Sequence, residues 1–371
     1  MASSPQRFFS ILVIFRVILL GKKKSRMAMS WKVIVVLLIG LLAWSYNVFY
    51  PPPPLICGSL HGPPVTAPRI KLRDGRHLAY KEHGVPKDRA RSKIILVHGF
   101  LSSRYEDFLT KSELAETLGI YFVSFDRPGY GQSDPDPKRT MKSTALDIEE
   151  LGDQLGLGPK FFVVGFSMGG QVVWGCLKYI PHRLAGATLI APVVNYWWPS
   201  FPTNLSTEAY NQQSCRDQWA LRVAHHAPWL LYWWDTQQWF PSSSVANGMP
   251  NFTAPDLKVL QELAGTRLTN PGYATQQGKY ESLHHDMIVG FGKWDFDPME
   301  LENPFIHTEG SVVHLWHGVE DGIVPVTLQR FIAQKLQWIQ YHEVPNAGHL
   351  IALADANVKD SILNTLLIGK K

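Results

Sequence analysis

Phe161 to Val164 is an apolar run that passes, with no polar loop between, through Gly165-Phe166-Ser167-Met168-Gly169-Gly170 into the helical spacing of Gln171 to Tyr179. A strand can join a helix over so short a distance only through a sharp turn. Gly165 and Gly169 keep side chains out of that turn, so the helix closes on the strand and the Ser167 hydroxyl stands proud. A strand buried on both faces also needs parallel neighbours, with helices to cover them. The junction therefore favours one kind of architecture.

The rest of the chain repeats the pattern. Ile70 to Leu72 and His77 to Tyr80 flank Asp74-Gly75, which predicts a hairpin. Ile94 to Val97, Tyr121 to Phe125, Leu184 to Ile190, Val312 to Trp316 and Gln340 to Val344 read as further short strands. Helical spacing covers Tyr105 to Leu118, Ala145 to Leu155, Val326 to Trp338 and Ala354 to Leu367. This alternation predicts an α/β fold, a mostly parallel sheet with helices on both faces, over residues 69–371.

Asn195 to about Pro304 breaks the rhythm and is too long for a loop. It holds eight of the 13 tryptophans (Trp197, Trp198, Trp219, Trp229, Trp233, Trp234, Trp239 and Trp294), and predicts a mainly helical cap. Those rings read either as cap core or as the lining of an apolar pocket.

In a parallel sheet the carboxyl ends of the strands form the binding edge, and the candidate site residues fall there. Ser167 follows one strand. His349, in Asn346-Ala347-Gly348-His349, follows the Gln340 to Val344 strand and would serve as base. Asp321 follows the Val312 to Trp316 strand and would orient that base. Asp295, Asp297 and Glu320 stand as alternative carboxylates. The chain order Ser, Asp, His suits a nucleophile elbow. An anionic intermediate needs backbone donors, which the N–H groups of Phe100 and Met168 could supply. No cofactor or metal is required. His284-His285-Asp286 suggests a metal cluster, but adjacent histidines rarely face one ion.

These motifs together resemble the α/β-hydrolase fold family, in its serine-hydrolase branch with a cap. The resemblance runs over about residues 70–371 through V-H-G-F (97–100), D-R-P-G-Y-G-Q-S (126–133), G-F-S-M-G-G (165–170), W-H-G-V-E-D-G-I-V-P (316–325) and N-A-G-H (346–349). It implies Ser167, Asp321 and His349 as the catalytic triad, with Phe100 and Met168 as oxyanion donors. His98-Gly99-Phe100-Leu101 replaces the H-G-G-G run of the branch that takes esters of tertiary alcohols, which argues against such substrates. Serine at 167 argues against epoxide hydrolases and haloalkane dehalogenases, which use aspartate.

Composition matters chiefly at the N-terminus. Ten of the 36 Lys and Arg precede the first acidic residue, Asp74, leaving 26 basic against 31 acidic residues beyond it. The net charge of +5 is thus an N-terminal property, and no nucleic-acid surface is implied. Val33 to Tyr50 is uncharged for 18 residues, long enough for a membrane span, with Trp31, Tyr46 and Tyr50 at its edges. Lys22 to Arg26 precedes it, while residues 51–68 carry no Lys or Arg. Residues 1–50 therefore read as a single-pass anchor with a cytoplasmic N-terminus, leaving a lumenal or extracellular hydrolase domain after a proline-rich linker at 51–68. The alternative is a cleaved targeting peptide. Phe8 to Leu20 reads as interfacial or signal-like, being short and interrupted by Arg16. Asn204-Leu-Ser and Asn251-Phe-Thr are glycosylation sequons. Cys57, Cys176 and Cys215 make no disulfide framework.

The sequence therefore leads to a serine hydrolase that cleaves, through an acyl-enzyme, a carboxylic ester or related acyl bond of an apolar or lipid-like substrate. The alternative is a ligand-binding or partner-recruiting protein on the same fold with little turnover.

Overall fold

A computed structural model describes residues 26–368 apart from 108, 111–112, 241, 249, 265–270 and 307–311. Phe8 to Leu20 and Lys22 to Lys24 lie outside the described residues. The chain divides into two units, Met1–Pro51 and Pro52–Lys371. In the first, helix α1 (Arg26–Phe49) contains an apolar stretch, Trp31–Phe49, of mean hydropathy 1.9 that buries nothing against protein.

The second unit is built on an eight-stranded sheet of order β1-β2-β4-β3-β5-β6-β7-β8. Its strands are β1 (Arg69–Lys71), β2 (His77–Gly84), β3 (Ser92–Val97), β4 (Ile120–Phe125), β5 (Phe161–Phe166), β6 (Leu184–Ile190), β7 (Val313–Gly318) and β8 (Ile339–Val344). All eight fall where the alternation predicts them. β1 and β2 pair antiparallel, as do β2 and β4; the other pairings are parallel. Gly75, at φ +91°, turns the first hairpin. β4 and β7 are buried at every position, because helices cover both faces of the sheet. β8, at the edge, is mostly half-buried.

The strand order reverses at β3, which lies between β4 and β5. Such a reversal opens a crevice at the carboxyl ends of the flanking strands. Val97 pairs with Gly165 across that point, bringing the loop after β3 against the turn after β5.

Tyr105 to Leu118 is not one helix. Only Glu113–Thr117 is helical among its described residues. The preceding stretch turns its polar side chains inward, where Arg104 pairs with Asp126 and Glu106 accepts the Gly99 N–H. Those partners are worth more than helical spacing on an exposed segment. The cap comprises helices Thr203–Asn211, Cys215–His226, Leu231–Thr236, Ala254–Glu262 and His285–Phe291, the last preceded by a π-turn at Tyr280–His284. Within the second unit, the proline-rich stretch from Pro52 on is tied down: Leu55 N–H donates to the Gln277 carbonyl, and Thr66 and Ala67 N–H to the Gln132 side chain.

Candidate active site

Helix α2 (Met168–Tyr179) follows β5 with one residue between, Ser167. That residue sits at φ 53°, ψ −118°, a conformation non-glycine residues rarely adopt. The glycines explain how the turn closes. A Cβ on Gly169 would lie 2.1 Å from the Val97 carbonyl oxygen, and one on Gly165 2.4 Å from that of Gly169. Among the described residues, four non-glycine positions have positive φ: Leu101, Ser167, Ala191 and Asn346. Each follows the carboxyl end of a strand (β3, β5, β6 and β8). Backbone strain gathered at one edge marks a functional site.

Ser167, Asp321 and His349 meet there, all buried. Ser167 Oγ is 2.9 Å from His349 Nε2, and His349 Nδ1 is 2.7 Å from Asp321 Oδ2. The Asp321 Oδ1 accepts the N–H groups of Ile323 and Val324, each at 2.8 Å. His317 Nε2 lies 3.3 Å from Oδ2. Burial opposes ionisation of Asp321, but His349, its hydrogen bond, His317 and the Val324 N–H outweigh it and hold the carboxyl below its ordinary range. Burial likewise opposes the His349 cation. Asp321 overcomes it, helped by Asp256 and Glu106, and the imidazole titrates above its ordinary value. The ring is a stronger base than histidine in water.

The alternative carboxylates are engaged elsewhere. Asp295 accepts the Tyr179 hydroxyl, Asp297 the N–H groups of Ser200 and Met299, and Glu320 is exposed. His284, His285 and Asp286 do not converge. Asp286 binds Arg127, the His285 ring stacks on Tyr280, and His284 faces Tyr232. No cluster able to hold a metal occurs among the described residues.

The two candidate oxyanion donors flank the nucleophile. Met168 opens α2, so its N–H has no acceptor within the helix. Phe100 follows Gly99, which packs so closely that a Cβ there would lie 3.1 Å from the Ser167 Cβ.

Two lobes meet at Ser167 and share Phe100, Val245 and Ile323 as walls. One, of about 70 Å³, is lined by Met168, Val193, Tyr196, Leu221, Met287 and Phe291. Asp217 at its margin is occupied by the hydroxyls of Ser214, Ser243 and Ser244. The other, of about 320 Å³, is lined by His349, Phe166, Phe252, Leu260, Leu350 and Leu353. No tryptophan borders either lobe. Trp198 packs on Trp294 and Trp197 on His225 within the cap, while Trp219, Trp229 and Trp239 are exposed. Trp197 and Trp198 instead line a separate cavity of about 430 Å³ with Tyr196, Phe201 and Tyr210, so the cap tryptophans border an aromatic pocket but not the one at Ser167.

No pattern in the sequence singles out Glu106, a lone acid in a polar loop. It accepts the Gly99 N–H at 2.6 Å, and burial pushes its carboxyl up to about 7. Asp256 also went unread. It accepts the Leu350 N–H at 2.8 Å from the cap helix that it helps to cap, and the Thr253-x-x-Asp256 spacing was its only signal.

The model of the α/β hydrolase fold family matches residues 93–356. The chain belongs to that family. Solved structures of similar fold include a thermophilic esterase from Thermogutta terrifontis, at 22% identity and TM-score 0.54, covering 81% of this chain and 98% of that one. An esterase from Rhodococcus sp. covers 80% and 96% of the two chains at 17% identity and TM-score 0.53. An enol-lactonase from Burkholderia xenovorans covers 80% and 98% at 16% identity and TM-score 0.54. Among curated proteins, no sequence matches this chain.

Proposed function

We propose that this family member is a serine hydrolase that cleaves a carboxylic ester of apolar character through an acyl-enzyme. The observation that carries the reading is the buried Ser167–His349–Asp321 chain of contacts, 2.9 and 2.7 Å, opening on two apolar lobes. Ser167 Oγ adds to the ester carbonyl as its proton passes to His349 Nε2. The resulting oxyanion takes the N–H groups of Phe100 and Met168. His349 then gives the proton to the leaving alkoxide, and the C–O bond breaks to leave acyl-Ser167. Water, activated by the same imidazole, releases the acid. Asp321 holds the ring in the tautomer with its proton on Nδ1 and stabilises the transient cation.

The lobes divide the substrate. His349 borders only the larger lobe, and it is the group that protonates the departing alcohol, so the alcohol belongs there. The acyl chain takes the other lobe, which Met168 borders. Its volume of about 70 Å³ is about half that of a cavity that takes a benzene, room for about two to three groups the size of a water or a methylene. The favoured substrate is thus an ester of a short apolar acid with a bulkier apolar alcohol. Kinetics on p-nitrophenyl butyrate test the activity: saturable turnover with an initial burst of nitrophenol supports it. Tight uptake of the ester without release of product favours a binding protein instead.

We further propose that α1 crosses a membrane with its N-terminus in the cytoplasm, on the charge bias of its flanks. Asn204 and Asn251 are both exposed, as glycan acceptors must be. Protease added to sealed vesicles should spare the hydrolase unit when applied from the cytoplasmic face. Its digestion there would reverse the orientation.

A further inference from the structure

Resting on the serine-hydrolase reading, the geometry points to Asp286 and Arg127 as positioning residues: the cap, through Asp286, orients Arg127, which aims the Phe100 N–H at the oxyanion. The chain of contacts is continuous. Asp286, in the cap helix His285–Phe291, holds the Arg127 guanidinium at both ends, Nη1 to Oδ1 at 2.6 Å and Nη2 to Oδ2 at 2.8 Å. The same Nη2 donates to the Gly99 carbonyl at 2.9 Å. His98 Nε2 accepts the Arg127 backbone N–H at 3.0 Å, so the ring proton sits on Nδ1 and is donated to that carbonyl at 2.8 Å.

The Gly99 carbonyl and the Phe100 N–H belong to one peptide unit. No described peptide is cis, so the two groups point in opposite directions from one plane. Two donors on the carbonyl therefore fix the direction of the N–H. Glu106 secures the other side of Gly99 by accepting its N–H. The peptide is gripped from behind, with the N–H facing the site.

The seam around this relay is close-fitting. A Cβ on Gly129 would lie 2.2 Å from the Glu281 carbonyl oxygen in the π-turn that leads into Asp286. Tyr130 donates its hydroxyl to Asp286 at 2.8 Å, and Arg139 lies 3.4 Å from it. Burial and ion pairing hold this carboxylate in place, and it anchors the cap to the loop that carries Arg127, beside Ala274 and Gln277, which bond Gly131 of the same loop. A bidentate guanidinium–carboxylate pair sets direction as well as distance, which lysine cannot reproduce. The oxyanion hole is thereby complete only with the cap seated.

The test uses the full chain, with active sites counted by fluorophosphonate titration so that kcat refers to competent sites. Asp286→Asn and Arg127→Lys should each lower per-site kcat by about tenfold to a hundredfold, short of the loss on deleting a donor outright. KM should stay within about threefold, and affinity for a boronic-acid mimic of the tetrahedral state should fall in parallel with kcat. Arg139→Gln touches the same carboxylate without reaching Gly99, and should leave per-site kcat within about threefold. A merely structural role would instead lower the Tm and the titratable fraction while per-site kcat stayed normal in both Asp286→Asn and Arg127→Lys; that result overturns the inference alone. Absence of both turnover and probe uptake in the unaltered chain would overturn the hydrolase reading, and this inference with it.

Discussion

The Asp321 Oδ2 lies 2.7 Å from His349 Nδ1, and the other oxygen of the same carboxylate is held by two backbone N–H groups. The carboxylate is thus fixed before it meets the imidazole. Asp321→Asn keeps the shape but presents an amide donor to Nδ1, which selects the wrong tautomer. We expect kcat to fall by about 10⁴ with the fold retained. Asp295→Asn and Asp297→Asn should each cost less than about tenfold. Steady-state kinetics on the three variants check the ranking.

The pH profile follows from the sign of the His349 shift. Burial disfavours its cation, but Asp321, Asp256 and Glu106 more than compensate, raising the pKa above the ordinary imidazole value. Only the neutral ring can take the Ser167 proton. Activity should therefore be full above the raised pKa and fall as pH drops through it, placing the acid limb of kcat/KM above about 6.5. Glu106, itself pushed up to about 7, carries part of its charge near that limb, so Glu106→Gln should move the limb to lower pH. Arg127 and His317 also face this group of charges, and Glu106→Gln leaves both in place. An unmoved limb would exclude Glu106 from the electrostatics of the base.

A series of p-nitrophenyl esters reads the smaller lobe. Specificity should peak at acyl chains of about three to four carbons and drop sharply beyond, since Leu221 and Phe291 wall a lobe of about 70 Å³. Leu221→Trp should shift the optimum to shorter chains. A flat profile up to long acyl chains would place the acid on the other side of Ser167.

Gly169→Ala tests the turn. The added methyl would lie 2.1 Å from the Val97 carbonyl oxygen, which belongs to the central strand β3 and cannot retreat. We expect a loss of about 1–3 kcal/mol or more in stability. Chemical denaturation measures it.

Much of the fold was legible because its signals are local. Each strand is a short apolar run closed by a turn, and Gly165 to Gly169 announces its geometry within five residues. Ser167, Asp321 and His349 could be assigned to one edge of the sheet because each lies within five residues past the end of a strand. What escaped was held together by distant partners. Arg127 and Asp286 are 159 residues apart, and the Glu106 carboxylate serves a backbone N–H seven residues away; neither leaves a periodicity. Tyr105 to Leu118 departs from its helical spacing for the same reason, since Arg104 at its head answers to Asp126 and Glu106 within it to Gly99. The Met141–Gln154 helix begins four residues before the predicted start because Thr140 and Ser143 cap each other, a weaker signature than a threonine–glutamate box.

The most direct measurement is of Ser167 itself. The full chain is treated with a fluorophosphonate, digested, and the adduct located by mass spectrometry, in parallel with kcat for Ser167→Ala. The account predicts one adduct per chain, on Ser167, and a loss of about 10⁵–10⁶ in kcat for the alanine variant. An adduct elsewhere, or turnover by Ser167→Ala within about tenfold of the unaltered chain, would contradict it.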